Sequence, residues 1–422
     1  MTAATQVERL FAGADDGPSF ASHRTRHGDL QLPPASRLLQ EIEAAGLVGR
    51  GGAGFPTGRK MRTVAAGSRP VVVGNGCEGE PGSAKDELLM TLSPHLVLDG
   101  LYAATHAIGA TEIHLALHRG SPAVASMRMA VAERRERRAV QLALVPPNYV
   151  SSEESALVRF LNGGDAKPSF TPPRPFESGV HGRPTLINNV ETLAQVALIA
   201  RYGAAWFRGM GDPDEPGTQL LTLSGPRKST GTWHRTVLEA PTGTTVKVAF
   251  EYAGLDVEAC QAVLVGGYFG AWLPVELAAH LPLTQREMRS RGGALGAGIL
   301  IGLPRRSCGV LETARVANYL AGQNAGQCGP CLNGLPAIAR AMATLAHGPW
   351  DDRTMGHLDR WLTVVPGRGA CRHPDGAVRF VMSALTTFDA DVEDHRAGRP
   401  CAGTHLPPLL PLPAGAVERS WR

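Results

Sequence analysis

The sequence predicts an α/β protein in three parts: a Rossmann-like, doubly wound domain, a smaller part made of short strands, and a C-terminal bundle of four helices. Three observations support this division. Apolar strand and helix patterns alternate through the first half of the chain. Short strand patterns take over at about Thr218, and apolar helical patterns separated by polar breaks begin at about residue 309.

Composition limits the class of protein. The chain has 422 residues, of which 43% are hydrophobic, so it can fill the cores of two or three domains. A net charge of only +4 and an aromatic content of 5% do not predict nucleic-acid binding. No apolar run approaches the roughly 20 residues that span a bilayer, and the N-terminus lacks a signal-peptide pattern. We therefore expect a cytoplasmic protein without a membrane span.

The N-terminal region contains an arm, a helix and a glycine-rich loop. Residues 1–35 show little periodicity and predict an extended or loosely packed arm, and residues 36–45 predict the first helix. Residues 49–60 then hold five glycines. Glycine lets backbone N–H groups converge on an anion, and Arg50, Arg59 and Lys60 add positive charge. The loop predicts a site for a phosphate-bearing cofactor; the alternative is an ordinary turn.

The next segments predict the parallel sheet. Val71 to Val73 form a buried strand that ends in a second polar, glycine-rich segment, 74–86, at the sheet edge where α/β proteins bind ligands. The following predictions are a helix at 96–108, a strand at 112–117, a helix at 123–138 and a strand at 141–145. Helices are predicted to begin near Ser151 to Ser155 and at Ile187 to Thr192, on either side of a proline-rich connection.

The last two parts are shorter patterns. Strands are predicted at 220–223, 236–238 and 262–266, with a helix at 245–253. Helices are predicted at 310–320, 335–345, 354–364 and 377–388. Cys328 and Cys331 lie between two of these helices, and Cys371 follows forty residues later. Such spacing in a reducing compartment predicts metal or cluster ligation rather than a disulfide.

Four features point to one family: the two glycine-rich loops, the Glu153-Glu154 pair, the Asn-Asn-Val-Glu-Thr string at 188–192 and the cysteine pattern. Together they resemble the FMN-binding flavoprotein family of the 51 kDa component of complex I. Relatives of that family occur in NAD-dependent hydrogenases and formate dehydrogenases. The resemblance implies an arm at 1–35, an FMN domain at 36–215, an SLBB β-grasp (ubiquitin-like) domain at 216–300, a helical iron–sulfur domain at 301–395 and a tail at 396–422.

The resemblance also implies residue roles. Glu80 and Glu154 would act in catalysis by placing the nicotinamide and ribose, and Phe55 would stack on the adenine. The cofactor-binding set would be Gly49, Arg50, Gly51, Gly52, Phe55, Lys60, Asn75, Glu78, Glu153, Asn188, Asn189 and Thr192. The metal ligands would be Cys328, Cys331 and Cys371.

Four positions depart from the family pattern. Cys77 stands in place of an aspartate, and Thr63 and Arg174 stand in place of aromatic residues of the dinucleotide site. Ala325 stands in place of the first cluster cysteine. Three alternatives follow for the cluster: a [4Fe-4S] cluster with Asn324, water or another group as fourth ligand, a [3Fe-4S] cluster, or no cluster. Cys308 and Cys401 are candidates for a distant replacement.

The resulting functional hypothesis is an FMN- and iron–sulfur-dependent electron-transfer subunit that moves electrons between NADH and an iron–sulfur chain. The alternatives are a flavoprotein subunit that exchanges electrons with ferredoxin, a redox enzyme or a membrane cytochrome without NADH, and a degenerate scaffold subunit. The resemblance implies partner redox subunits, either a thioredoxin-like [2Fe-2S] subunit or a ferredoxin, and a cytoplasmic location, free or peripheral to a membrane complex.

Overall fold

The computed structural model describes residues 3–5, 7–134, 138–291, 293–348, 351–399, 401–413 and 420–422. The strands are β1 Ala3–Thr5, β2 Val71–Gly76, β3 Glu112–His118, β4 Gln141–Val145, β5 Thr185–Asn189, β6 Thr218–Pro226, β7 Trp233–Pro241, β8 Cys260–Val265, β9 Ala271–Pro274 and β10 Ile299–Pro304. The helices are α1 Phe20–His27, α2 Ala35–Ala45, α3 Thr57–Ala65, α4 Lys85–Leu92, α5 Pro94–Ile108, α6 Ala123–Glu133, α7 Glu154–Leu161, α8 Val190–Arg208, α9 Val246–Tyr252, α10 Val275–Ala278, α11 Gln285–Ser290, α12 Gly309–Gly322, α13 Leu335–His347, α14 Asp352–Val364, α15 His373–Thr387 and α16 Asp389–Arg396.

The first half of the chain forms a parallel sheet with the strand order β4-β3-β2-β5. Side chains alternate between the two faces of a strand, and β2 shows the result. Val72 lies in the main core with α5 and α8, whereas Val71 and Val73 lie in a second cluster with Leu157 of α7. Helices therefore cover both faces, and the predicted Rossmann-like, doubly wound arrangement is confirmed.

The strand order has a switch point beside β2. From β2 the chain moves outward to β3 and β4, and then returns to place β5 on the other side of β2. The segments that follow β2 and β5 leave the carboxyl edge side by side, and the space above this edge, called the crevice below, is where open α/β sheets bind ligands. Asn75 and Asn189 are register partners at this point.

The second sheet has the order β1-β7-β6-β10-β8-β9 and mixes parallel and antiparallel pairs. One face packs on α9 and α10 through a core that includes Phe250 and Val263. The other face packs against the C-terminal helices through Leu264, Trp272 and Ile301. The predicted boundary at residue 300 falls inside β10, because the strand that begins at Ile299 runs on to Pro304.

The C-terminal region contains the four predicted helices as α12 to α15, and α16 follows as a fifth. The predicted boundary between helices and tail at 395 falls at the end of α16. The tail then runs back across the molecule. Leu410 is buried, the Tyr268 hydroxyl donates to the carbonyl of Pro411, and the Ala166 N–H donates to the carbonyl of Trp421 at 2.8 Å.

The prediction of a loosely packed N-terminal arm is wrong. Leu10 and Phe11 are buried in the main core, and residues 20–27 form α1. The carboxylate of Glu239 in β7 accepts hydrogen bonds from the backbone N–H groups of Arg9, Leu10 and Phe11. The anchor lies about 230 positions away along the chain, so local periodicity could not reveal it.

Two element predictions need smaller corrections. Ile187, predicted to open a helix, lies in β5, and the helix begins only at Val190. Asn189 caps that helix, since its side-chain oxygen accepts from the Glu191 N–H at 2.9 Å. The helix predicted over 123–138 ends at Glu133; residues 135–137 lie outside the described residues.

Candidate functional site

The glycine-rich loop closes on itself above the carboxyl edge of the sheet. The Gly49 N–H donates to the carbonyl of Phe55 at 2.9 Å, so the loop is pinned at its base. Gly52 has φ +110°, a conformation that favours glycine. The Arg50 N–H donates to the Thr192 hydroxyl at 2.9 Å. A Cβ added at Gly51 would lie 3.1 Å from the Cβ of Asn189, so a larger residue here would press on the N-cap of α8.

The ends of β2 and β5 supply three asparagine side chains. Asn75 donates through Nδ2 to the carbonyl of Ser152 at 2.9 Å. Asn189 donates through Nδ2 to Asp86 at 2.7 Å while it caps α8. Asn188, one residue earlier in β5, is buried. The structure thus brings together the predicted residues of the loop, both strand ends and Thr192.

A buried group of charges supports this edge. The Lys85 ammonium lies 2.7 Å from Asp86 and 2.8 Å from Glu191, and its side chain is 1% exposed. Burial by itself lowers the pKa of Lys85, but the charges of Asp86 and Glu191 outweigh it and hold the pKa above its ordinary value. Glu191 also accepts from the Leu220 N–H of β6 at 2.8 Å, which links α8 to the second sheet.

Several polar atoms here are buried without a partner among the residues that the structure describes: Arg50 Nε, Thr57 Oγ1 and Asn188 Nδ2. Burying a donor without a partner costs about 1–3 kcal/mol, so these groups suit a bound ligand. Burial lowers the pKa of Arg50, against the charges of Glu191 and Glu215. Its guanidinium nevertheless stays charged. An oxygen-rich anion such as a flavin phosphate fits this set of donors.

Lys60 and the two adjacent glutamates form the far wall of the crevice. The Lys60 ammonium donates to Glu154 and to the carbonyl of Ile187, both at 2.6 Å. Glu153 caps α7 by accepting from the N–H groups of Ser155 and Ala156. Burial raises the pKa of Glu153. The side chain of Glu154 is 42% exposed, so this carboxylate can meet a ligand from solvent.

Glu78 and Glu80 follow β2 and have different surroundings. The carboxylate of Glu78 accepts from the N–H groups of Asp86 and Glu87 at the start of α4. Burial raises the pKa of Glu78 to about 7, and the charge of Asp86 acts in the same direction. Glu80 accepts from the Tyr149 hydroxyl and from the Tyr268 N–H. Burial raises the pKa of Glu80 to about 7, against these two hydrogen bonds.

The raised pKa of Glu80 predicts a pH dependence of stability. The folded protein keeps this proton to about pH 7, whereas the unfolded chain releases it near pH 4.5. The free energy of unfolding should therefore fall as pH rises between these values. Between pH 5.5 and pH 8, the free energy of unfolding measured in urea should fall by about 1–2 kcal/mol less for Glu80→Gln than for the wild type.

Tyr149→Phe provides the opposite control for this prediction. The Tyr149 hydroxyl stabilises the charged form of Glu80, so its removal should raise the pKa of Glu80 further. The free energy of unfolding should then fall more between pH 5.5 and pH 8 than it does in the wild type. Parallel pH profiles for Glu80→Gln and the wild type would contradict the prediction.

The predicted dinucleotide positions are only partly aromatic. The Phe55 ring is 41% exposed beside the crevice loop. Thr63 is exposed on α3, where its hydroxyl donates to the carbonyl of Arg59 at 3.0 Å. Arg174 is exposed as well. An aromatic ring four residues earlier, Phe170, is 75% exposed and lines a depression of about 370 Å³.

The three predicted cluster cysteines come together beside α7. The Cys328 thiol acts electrostatically on both Cys331 and Cys371, and Cys371 acts on Cys331. Burial raises the pKa of Cys371 to about 11. The backbone N–H of His373 lowers this pKa, and the charge of Glu153 raises it. The donor set of three thiols fits an iron–sulfur cluster.

The structure weakens three of the candidates for a fourth ligand. Asn324 is engaged in its own turn, since its side-chain oxygen accepts from the Gly326 N–H at 2.7 Å. Cys308 precedes α12, whereas Cys328 follows that helix. A helix of this length spans about 20 Å, so Cys308 and with it Cys401 are too distant. Ala325 lies close to the site, because its backbone N–H bonds to Cys331.

Some residues of the site were missed by sequence reasoning. Tyr149 and Tyr268 donate hydrogen bonds to Glu80. Lys85 pairs with Glu191 and with Asp86, and Asp86 in turn accepts from Asn189. The only local indication was that Lys85 and Asp86 stand inside the second glycine-rich segment. Burial of such charges depends on partners more than a hundred positions apart.

Across the described ranges, no helix combines the length and the apolar character that a membrane crossing requires.

Comparison with known proteins agrees with this geometry. Residues 42–198 match the model of the Nuo51 FMN-binding domain, which covers the parallel sheet and the crevice. Residues 312–395 match the NADH-ubiquinone oxidoreductase-F iron-sulfur binding region, which contains Cys328, Cys331 and Cys371.

Whole-chain relatives cover most of the sequence. The chain is 31% identical over 384 residues to the second F-type subunit of the NADH-quinone oxidoreductase of Rhizobium meliloti, covering 86% of this chain and 90% of that protein. It is 32% identical over 406 residues to the F-type subunit of the NADH-quinone oxidoreductase of Escherichia coli K12, covering 87% and 86%. A crystal structure of an NAD⁺-reducing [NiFe]-hydrogenase in the H₂-reduced state matches with a TM-score of 0.81 and 29% identity, covering 93% of this chain and 68% of that one. The chain therefore belongs to the family of F-type subunits of NADH-quinone oxidoreductase, whose members are FMN- and iron–sulfur-dependent electron-transfer oxidoreductase components of the NADH dehydrogenase type.

Proposed function

We propose that this chain oxidises NADH at FMN bound in the crevice between β2 and β5, and passes the electrons singly to an iron–sulfur cluster held by Cys328, Cys331 and Cys371. Bound FMN would supply the step from two-electron hydride transfer to one-electron transfer. The residues of the chain bind, orient and shield the two groups.

The observation that carries the proposal is a segment shared by both sites, residues 149–153. Its Ser152 carbonyl accepts the Asn75 amide at the end of β2. One residue later, the charge of Glu153 acts on Cys371. The Tyr149 ring lies 5.7 Å from that of His373, two residues beyond Cys371. The crevice and the cysteines are therefore two sides of one wall, which suits electron transfer between them.

The residues divide into three groups in this proposal. Loop residues Gly49, Arg50, Gly51 and Gly52 hold the phosphate with Thr192 behind them. Asn75, Glu78, Glu153, Asn188 and Asn189 surround the ribityl chain and ring, with Lys60 between Glu154 and β5. Glu80 and Glu154 place the nicotinamide and ribose, and Phe55 stacks on the adenine. The support is their convergence on one crevice with unpartnered donors.

The same proposal covers domain organisation. The second sheet with α9 across one face is what an SLBB β-grasp domain would require, and we place its end at Pro304, where β10 finishes. Helices α12 to α15, with α16 added, would form the iron–sulfur bundle around the cysteine loop. The FMN domain would run to about residue 215. Residues 7–35 would be an integral part of the FMN domain, whereas β1 adds an edge strand to the second sheet.

Partners and location follow from the same reasoning. The relatives are named as subunits, so we infer that this chain works with further redox subunits, with a thioredoxin-like [2Fe-2S] subunit or a ferredoxin as the electron acceptor. A cytoplasmic position, free or at the surface of a membrane complex, is consistent with that role.

The test is anaerobic purification with flavin and iron quantitation, followed by one addition of NADH in a stopped-flow spectrometer. We expect about one FMN per chain, bound iron and rapid bleaching of the flavin band by NADH. FMN that dithionite reduces and NADH leaves unchanged would contradict NADH oxidation. Protein without flavin or iron would support the scaffold hypothesis instead.

Asn188→Ala supplies the control for the flavin site. The Asn188 amide nitrogen has no partner in the part of the chain that the structure describes, so its removal breaks no protein hydrogen bond. We expect FMN to bind about tenfold more weakly, with little change in iron content or in the stability of the flavin-free protein.

The replaced aromatic positions favour one alternative. Thr63 and Arg174 offer no ring for stacking, and an aromatic pair contributes about 0.5–1.5 kcal/mol beyond its buried area. A flavoprotein subunit that exchanges electrons with ferredoxin, a redox enzyme or a membrane cytochrome is therefore the second candidate. The exposed Phe170 ring on the same connection as Arg174 supports the NADH proposal.

A further inference from the structure

Cys308, His395 and Cys401 form a second cluster of metal-ligating side chains. One ligand atom from each lies within 4.8 Å of the other two, and within the described ranges this is the group that meets that condition. Cys308 and His395 are buried, and Cys401 is half-buried. Cys308 and Cys401 lie outside the two segments that match family models, and His395 is the last matched residue. The proposed flavin and cluster sites do not use these side chains.

The histidine is oriented as a metal ligand requires. Its Nδ1 lies 3.1 Å from the carbonyl of Leu345, so this nitrogen carries the proton and donates it. The lone pair of Nε2 therefore faces Cys308, whose sulfur lies 3.4 Å away. A backbone carbonyl that fixes the tautomer of a ligating histidine is a recurrent feature of metal sites.

The two sulfur atoms are also held in place. Cys308 is the N-cap of α12, where its Sγ accepts from the Leu311 N–H at 3.2 Å. The Cys308 and Cys401 sulfur atoms lie within 4.8 Å of each other. Gly403 keeps the chain after Cys401 tight against Cys308, since a Cβ there would lie 2.4 Å from the Cys308 nitrogen. Two thiols and an imidazole thus converge on a common point from three separate elements.

We infer that Cys308, His395 and Cys401 bind a zinc ion that fastens the C-terminal tail to the start of α12 and the end of α16. Thiolate and imidazole ligands in a closed, redox-inert site are the set that Zn²⁺ prefers. The carboxylate of Asp391, four residues before His395 on α16, is not part of this group, so water is the candidate for the fourth position.

The site has a structural consequence for the tail. Beyond Cys401, the Leu409 N–H donates to Glu312 on α12 at 2.7 Å, and Leu410 is buried. A zinc ion at Cys401 would hold the chain where this segment begins. Removal of the ion should therefore speed amide hydrogen exchange in residues 401–411 while the flavin and the cluster stay bound.

The test is elemental analysis of the full chain purified after growth with added zinc, combined with zinc K-edge absorption spectroscopy. We expect about one zinc per chain, with two sulfur neighbours at about 2.3 Å and the remaining neighbours nitrogen or oxygen at about 2.0–2.1 Å. Cys308→Ser and His395→Gln should lower zinc at least tenfold with unchanged iron and flavin. Cys260→Ser, a buried cysteine of β8 outside the cluster, is the matched control and should keep zinc.

Three outcomes would overturn the inference. Three sulfur neighbours, with zinc lost in Cys328→Ser, would mean that zinc has entered the cluster cysteines instead. A Cys308–Cys401 disulfide in the zinc-free protein, detected by mass spectrometry without reduction, would identify the pair as a redox bridge. Zinc-free wild-type protein with free thiols would exclude a metal site. If Cys308→Ser does not fold, Cys401→Ser at the half-buried position decides between these outcomes.

Discussion

Cys371→Ser is expected to remove the iron–sulfur cluster while FMN stays bound. The chain places three thiols at this site, and two cannot hold a cubane or a three-iron cluster. Bound iron should fall from about three or four atoms per chain to less than about one. The flavin should remain because Cys371 lies behind the shared wall and not in the crevice. Iron quantitation, flavin absorbance and low-temperature EPR measure the three quantities.

Cys260→Ser is the matched control for this substitution. Cys260 is buried in β8, and its sulfur donates to the carbonyl of Asp256 at 3.4 Å, a bond that serine can also make. Iron should be unchanged in this variant. Full iron content in Cys371→Ser would mean that Cys371 is not a ligand, and loss of iron in both variants would point to general misfolding.

Ala325→Cys tests the same site in the opposite direction. The Ala325 backbone N–H bonds to Cys331, and its side chain is only partly buried, so a thiol can be added close to the cluster. If the natural cluster has three irons, the variant should bind a fourth and lose the EPR signal of the oxidised three-iron form. If it already has four irons, the iron content should not change. The outcome distinguishes the two cluster types that the sequence leaves open.

Lys85→Met is expected to have the largest effect on stability. Its ammonium lies between two carboxylates whose side chains are 8% and 1% exposed. Removing one partner of a buried ion pair costs about 3–5 kcal/mol, because the other charges stay buried without compensation. Asp86 also holds Asn189, so FMN should bind more weakly as well. Urea unfolding and flavin titration measure the two effects.

Lys247→Met provides the comparison for Lys85→Met. Lys247 pairs with Glu258 at 2.8 Å on the surface, where both side chains are at least 40% exposed. Water screens such an exposed pair, so its contribution is small and the variant should unfold almost like the wild type. Adding Glu191→Gln to Lys85→Met should recover part of the lost stability, since one uncompensated charge is removed. Equal stability of the Lys85 and Lys247 variants would contradict a structural role for the buried triad.

The sequence by itself predicted the features that depend on neighbouring residues. The valine run of β2, the apolar periodicity of α5 and α12, and the glycines of residues 49–60 reflect local geometry, so their positions are close to those observed. The predicted site residues of the loop, of β2 and of β5 meet in one crevice because parallel strands bring their carboxyl ends to one edge. Cys328, Cys331 and Cys371 likewise come together as their spacing predicted.

Only the tertiary structure decided the features whose partners are distant along the chain. The N-terminal arm packs because Glu239 binds its backbone, and Glu80 keeps a raised pKa because it is partly buried between the segments that carry Tyr149 and Tyr268. Lys85 is buried because Glu191 lies beside it. Cys308, His395 and Cys401 meet because α16 and the tail fold back on α12. Local propensity and periodicity carry no information about such contacts, since burial and electrostatic partners are set by the path of the whole chain.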